Sequence, residues 1–162
     1  MVPRILLAGA LCALSALAAE FPITVYLVRH AERVEGMMSD PALTPAGVAR
    51  ANKLASMLAD KHVTGVYSSD FARTKLTAKP LADKNHITMN TGISPGKPQD
   101  LAQAILSGKD RAVLVVGHSN TIPSVIAALG ATVPAIPETE FDNFYVVTVE
   151  AAGKASVKAT KY

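Results

Sequence analysis

Residues 23–30 read Ile23-Thr24-Val25-Tyr26-Leu27-Val28-Arg29-His30. Ile23 to Val28 is a β-rich apolar run of strand length, and it ends on an arginine and a histidine. Downstream, Leu43-Thr44-Pro45 opens a helix, because Thr44 is a good N-cap and Pro45 is tolerated at the first helical position. Val48, Ala51, Leu54, Ala55 and Leu58 form one apolar stripe on that helix, which runs to about Asp60. A second strand is expected at Gly65 to Ser68. A second helix follows from Phe71 to about Asp83, and Pro80 is expected to kink it or end it early. Ile87 to Met89 reads as an edge strand, and Asn90 to Pro98, with its glycines and prolines, as a loop. Leu101 to Leu106 is a short helix, Ala112 to Val116 the most apolar strand, and Thr121 to Leu129 another helix. Val133 to Pro137 is a loop, and Phe144 to Val149 with Ala155 to Thr160 form a closing strand pair around Gly153. Alternating strands and helices, with near-continuous apolar strands, predict an α/β fold: a three-layer α/β/α sandwich around a mostly parallel central sheet.

The 162 residues leave room for one domain. An apolar content of 49% with 18% charged residues excludes a disordered chain. The net charge of +3 is spread without a basic run, and aromatics are only 5% with no Trp, so no nucleic-acid partner is expected. One cysteine, Cys12, can make neither an internal disulfide nor a cysteine-based zinc site. Arg4 is the only charge before Glu20, and Ile5 to Ala19 is an apolar stretch of 15 residues, too short for the ~20 that span a bilayer. With Ala16-Leu17-Ala18 as a small-x-small cleavage site, residues 1–19 read as a signal peptide and 20–162 as a single domain. Cleavage after Ala18 or Ala19 removes Cys12 and Arg4, so the expected product is exported, periplasmic and without a stable membrane anchor.

In a parallel sheet, sites form where loops leave the carboxyl ends of the strands. Three such junctions carry unusual residues: Val28-Arg29-His30-Ala31-Glu32-Arg33, Ser68-Ser69-Asp70-Phe71-Ala72-Arg73-Thr74, and Val116-Gly117-His118-Ser119-Asn120-Thr121. One histidine after a strand is commonly a half-buried structural residue. Two histidines and two arginines on one edge would repel each other unless an anion sat between them. A phosphate dianion fits that demand, because arginine offers a rigid fork matched to its oxygens. Gly117-His118-Ser119-Asn120-Thr121 falls short of a hydrolase nucleophile elbow: Thr121 stands where the second glycine belongs, and no histidine follows position 118. A metal site on His30 and His118 would want a third acidic ligand and would not place Arg29 beside one. No P-loop motif is present. His62 and His86 lie at the polar ends of elements and are given no role.

Val28-Arg29-His30-Ala31-Glu32 resembles the R-H-G signature of the histidine phosphatase superfamily, the phosphoglycerate mutase-like enzymes. Leu43-Thr44 with Gly47, then Ser69 with Arg73 and Thr77, and then Val116-Gly117-His118 match in the family's order over roughly residues 23–150. The Thr77-Ala78 and Gly117 to Thr121 segments are similar to those of small, capless bacterial members. These include phosphohistidine phosphatases and an exported lipopolysaccharide-core heptose phosphatase.

The resemblance implies a phosphoglycerate mutase-like fold and a phosphatase that needs neither metal nor organic cofactor. It makes His30 the nucleophile, while Arg29, Arg73 and His118 hold the phosphoryl oxygens. Asn120 is placed to add a polar contact, or else serves as a helix N-cap. The implied substrate is a small phosphorylated molecule or a phosphoprotein. Two departures stand out. Ala31 replaces the usual glycine, which is tolerable unless that residue needs a positive φ. Ile87 to Gln99 also contains no acid where many members carry a glutamate proton donor. Glu32 and Asp40 are the first substitutes, with Glu35 and Asp142 behind them. A donor-less enzyme would favour phosphohistidine or aryl phosphates, whose leaving groups need little protonation. The missing glutamate disfavours a mutase and leaves, as the other alternative, a catalytically silent phosphate-binding or interaction module.

Overall fold

The computed structural model describes residues 22–36 and 39–162. The export signal expected in residues 1–19 lies outside them. The chain runs β1 (Ile23–Arg29), α1 (Pro45–Met57), β2 (Gly65–Ser68), α2 (Ala72–Lys84), α3 (Pro98–Ser107), β3 (Ala112–Gly117), α4 (Thr121–Ala128), β4 (Asn143–Val149) and β5 (Ala155–Lys161). Only Thr24 in β1 escapes full burial, as a central strand covered on both faces requires. The sheet order is β2-β3-β1-β4-β5. β3 pairs parallel with both β1 and β2, while β4 pairs antiparallel with β1 and β5. Four strands therefore point one way and β4 alone is reversed, a mixed sheet with one predominant direction.

Side chains alternate across this sheet with the period of two that a strand imposes. Val25 and Leu27 of β1, with Val113 and Val115 of β3, meet Leu101 and Ile105 of α3 and Ile122, Val125 and Ile126 of α4. Tyr26, Val28, Leu114 and Val116 face the other way, against Leu54, Ala55 and Leu58 below and Ala78, Leu81 and Ala82 of α2. Two helices thus cover each face, giving the expected three-layer sandwich. Each fully buried leucine or isoleucine is worth about 1.5–3 kcal/mol over exposure, so the faces hold even α2, whose sequence is largely polar.

Thr44 caps α1 as expected, its hydroxyl accepting from the Gly47 amide at 3.1 Å. Gly47 has a steric reason to be there: a Cβ on it would overlap the Glu32 carbonyl oxygen and stand 3.1 Å from the Glu32 carbonyl carbon and amide nitrogen. Two expectations need correction. Pro80 does not end α2, which continues to Lys84. Ala78, Leu81 and Ala82 around it are buried, and that packing outweighs one missing amide bond on the outer side. Ile87 to Met89 is not a strand. Its pairing shrinks to a single bridge at Asn90, whose amide donates to Val66 and whose carbonyl accepts from Ser68. His62 and His86 have φ of 51° and 55°, so they turn the chain in the left-handed region where histidine is enriched among non-glycines. Among the described residues, no helix is long and apolar enough to cross a membrane.

Candidate active site

The sheet's carboxyl edge holds a cavity of about 620 Å³ lined by Arg29, His30, Arg73, His118 and Asn120, together with Ser69, Ser119 and Glu138. All three junctions singled out in the sequence converge here. β1 and β3 pair in register from Thr24 and Ala112 to Arg29 and Gly117, which sets His30 and His118 side by side. Their ring centroids lie 5.4 Å apart, within reach of a single phosphate. The register is reinforced where the His30 amide donates to the Gly117 carbonyl at 2.9 Å. Gly117 itself has no room for a side chain, since a Cβ would come within 2.7 Å of Thr121 Oγ1. That hydroxyl accepts from the His118 amide at 2.9 Å and fixes the turn into α4.

His30 is 3% exposed, and its Nδ1 lies 2.8 Å from the Ala31 carbonyl oxygen. A carbonyl can only accept, so Nδ1 carries the proton and Nε2 keeps its lone pair. Burial pushes the His30 pKa down to about 4, with Arg29, His118 and Arg73 adding repulsion against the bond to Ala31. The imidazole is therefore neutral at pH 7, as a nucleophile must be. Ala31 does not adopt a positive φ. Its methyl is buried beside Leu43 and Ala51, and its amide donates to Thr77 Oγ1 at 2.9 Å.

His118 is held by a chain of hydroxyls. Thr74 Oγ1 sits 2.8 Å from the Phe71 carbonyl and 3.0 Å from that of Ser69. Its proton is committed to those carbonyls, so it accepts from Ser69 Oγ at 2.7 Å. Ser69 Oγ then accepts from His118 Nε2 at 2.9 Å, which assigns a proton to Nε2. Burial, then Arg73 and Arg29, push this histidine down to about 4 as well. A bound dianion would reverse that field and favour protonation at the free Nδ1.

The arginines are equally constrained. Arg29 is 3% exposed. Its Nη1 donates to the carbonyls of Pro137, Glu138 and Glu140 at 3.1, 2.6 and 3.0 Å, and its Nη2 meets Glu138 Oε2 at 2.7 Å. Its guanidinium lies 4.2 Å from the Phe141 ring centroid, and Arg73 lies the same distance over Phe71. The Nε atoms of both arginines are buried without a protein partner. Two such donors beside two histidines suit an anion.

The candidate proton donors are distributed differently. Glu32 is committed to Arg50 by contacts of 2.7–3.0 Å, which hold its carboxyl below the usual range. Asp40 caps α2, accepting from the Ala72 amide at 2.8 Å, and lies 3.8 Å from Arg73 Nη1. Asp142 pairs with Lys161. None of these three lines the cavity, nor does Glu35. Asn120 lines the cavity and occupies the N-cap position of α4 without a side-chain capping bond. The acid that does line it is Glu138, which sequence reasoning passed over. The free edge of the cavity is open: Phe71 is 44% exposed, and of the short 91–97 loop only Ser94 and Gly96 reach the lining.

The depressed histidines carry a consequence for stability. Both have folded-state pKa values below the unfolded value of 6.5. Between about pH 4 and 6.5 the unfolded chain binds more protons, so this contribution is complete above 6.5 and is lost as pH falls toward 4. Urea unfolding should show wild-type stability declining through that window, with a smaller decline in His30→Gln. Identical pH dependence in the two proteins would contradict the neutral, buried imidazole.

The family model of the histidine phosphatase superfamily (branch 1) matches residues 25–93. A probable phosphoglycerate mutase, GpmB, of Yersinia pestis is 35% identical over 94 residues, covering 48% of this chain and 43% of that protein. The chain thus spans less than half the length of the curated relatives it matches. Among solved structures, the protein histidine phosphatase SixA complexed with tungstate superposes with a TM-score of 0.71 at 20% identity, covering 86% of this chain and 97% of that one. The putative phosphohistidine phosphatase SixA from Agrobacterium tumefaciens gives 0.64 at 20% identity, over 88% and 100% of the two chains. At such identities the superpositions speak for the fold. The profile and the relative match the chain to the histidine phosphatase superfamily over part of its length, and the fold agrees with that match.

Proposed function

We propose that this protein hydrolyses phosphomonoesters or phosphoramidates through a covalent phosphohistidine at His30. The observation that carries this reading is the unengaged Nε2 of a neutral, buried His30 in a cavity whose lining also holds Arg29, Arg73 and His118. Nε2 attacks phosphorus in line while Arg29, Arg73 and a protonated His118 hold the equatorial oxygens, where transition-state charge is spread. Water then attacks phosphorus and returns the electron pair to His30. The reading includes independence from metal and organic cofactor, since the cationic cradle supplies the charge stabilisation that a metal supplies elsewhere.

The cavity is open enough for either a small phosphorylated molecule or a phosphorylated side chain on a protein. The apolar run at residues 5–19 supports a further proposal, that the protein acts after export. Release of phosphate from p-nitrophenyl phosphate, with and without chelator, tests the activity. The expected result is turnover that EDTA leaves unchanged. Phosphate binding without turnover would instead fit a silent binding module, and loss of turnover on chelation would overturn metal independence.

A further inference from the structure

Glu138 stands in the cavity wall but takes no part in the phosphoryl cradle. Its carboxylate lies between Arg29 Nη2, at 2.7 Å, and the Ser119 hydroxyl. Its place is not accidental to the loop. The carbonyls of Pro137, Glu138 and Glu140 all close on Arg29 Nη1, so the backbone that carries Glu138 is fastened to the residue next to the nucleophile. Among the described residues it is the one carboxylate that lines the cavity. The other candidate acids are engaged by Arg50, the α2 amide or Lys161.

Its depth in the cavity matters as much as its partners. His30 and Arg29 are 3% exposed and form the floor, whereas the Glu138 side chain is 78% exposed. In-line attack from Nε2 forces the leaving oxygen to the side opposite His30, toward the mouth. Glu138 is the acid on that side. We propose that Glu138 is the proton donor to the leaving group and the base for the attacking water, an assignment that rests on the phosphatase reading above.

As the Nε2–P bond forms, the P–O bond to the leaving group breaks, and its electron pair goes to the departing oxygen. That oxygen takes the proton from the Glu138 carboxylic acid and leaves as an alcohol. In the second displacement, the Glu138 carboxylate takes a proton from water as the water oxygen bonds to phosphorus. The N–P bond breaks, its pair returns to His30, and phosphate departs with Glu138 protonated again.

Glu138 must hold a proton when substrate is bound. Without substrate, the Ser119 hydroxyl, then Arg29, His30 and Arg33, hold its carboxyl below the ordinary range, against partial burial. A phosphoryl dianion on Arg29 would cancel the nearest of those cations and bring two negative charges beside the carboxylate. Proton uptake is then favoured by the substrate itself.

The test is a series of monoesters whose leaving groups run from p-nitrophenol to simple alcohols, with log kcat/KM plotted against leaving-group pKa. The wild type is expected to give a shallow line. In Glu138→Gln the line should steepen: kcat/KM for alkyl phosphates should fall about 10²–10⁴-fold, that for p-nitrophenyl phosphate far less, while kcat for every substrate falls as phosphoenzyme hydrolysis loses its base. Retained activity toward the aryl ester also shows that the variant folds, and Glu138→Asp should recover part of the alkyl activity. Parallel lines, or a uniform gain in Glu138→Gln, would overturn the assignment, leaving Glu138 a carboxylate that merely occupies Arg29. A wild type active on phosphoramidate but inert toward every ester would overturn the assignment alone, and one inert toward both would overturn the phosphatase reading itself.

Discussion

His30→Ala is expected to lower kcat/KM by about 10⁴-fold or more toward every substrate the wild type turns over, good leaving groups included. The size of the effect follows from the role. Arg29, Arg73 and His118 can still gather a phosphate, but no nucleophile remains on the floor of the cavity, and water must attack directly. The variant should fold, because His30 contributes one side-chain bond, to a neighbouring carbonyl. Phosphate affinity should survive in titration calorimetry. Activity within tenfold of wild type would show that the reaction does not pass through this imidazole.

Arg29→Lys should cost about 10²–10³ in kcat/KM, the usual effect of removing one preorganised oxyanion donor, and it should also destabilise the domain. Lysine keeps the charge but is a point donor on a flexible stem, unable to span three carbonyls, a carboxylate and a phosphate at once. The hydrogen bonds to Pro137, Glu138 and Glu140 are charge-assisted and start from a nearly inaccessible guanidinium. Their loss should cost about 1.5–3 kcal/mol, a fall of several degrees in Tm for a domain of this size. The ion pair with Glu138 contributes little of that, because its carboxylate is mostly in water. Calorimetry should therefore show a clear Tm drop for Arg29→Lys and almost none for Glu138→Gln. Equal drops would mean that the side-chain pair, not the backbone clamp, secures the loop.

Most of the scaffold was legible because its signals are local. The apolar runs of β1 and β3, the Thr44 cap with Pro45, and the turns holding His30 and His118 are all set by neighbours in sequence. What escaped depends on partners far along the chain. Pro80 is tolerated because α2 packs on a finished sheet, a tertiary effect that outweighs the local breaker rule. Ile87 to Met89 has β-forming residues, but only Asn90 comes within reach of β2. Glu32 follows the same strand as His30, yet Arg50, one helical turn beyond Gly47, claims its carboxylate.

Glu138 was missed for a topological reason. The sequence points to site residues on loops that leave the carboxyl ends of parallel strands. β4 runs the other way, with Phe144 opposite Val28, so the loop that enters β4 arrives at the same edge as the loops that leave β1 and β3. The closing strand pair was visible in the sequence, and an antiparallel partner for β1 was the signal that could have led to this loop. The Ser69–Thr74 hydroxyl chain behind His118 joins two separate junctions. Its residues were visible in the sequence, but their contact depends on β2 and β3 pairing in register.

The central claim is that phosphoryl transfer passes through His30, and chemical trapping tests it most directly. Wild-type enzyme mixed with a radiolabelled phosphate ester should be denatured within the first turnovers, digested, and its labelled peptide identified. The label is expected on His30, stable in alkali and lost in mild acid as a phosphoramidate is, and absent from His30→Ala treated in the same way. A label on a serine or threonine hydroxyl, stable in acid, would contradict the account. So would turnover accompanied by no label on the protein at any time.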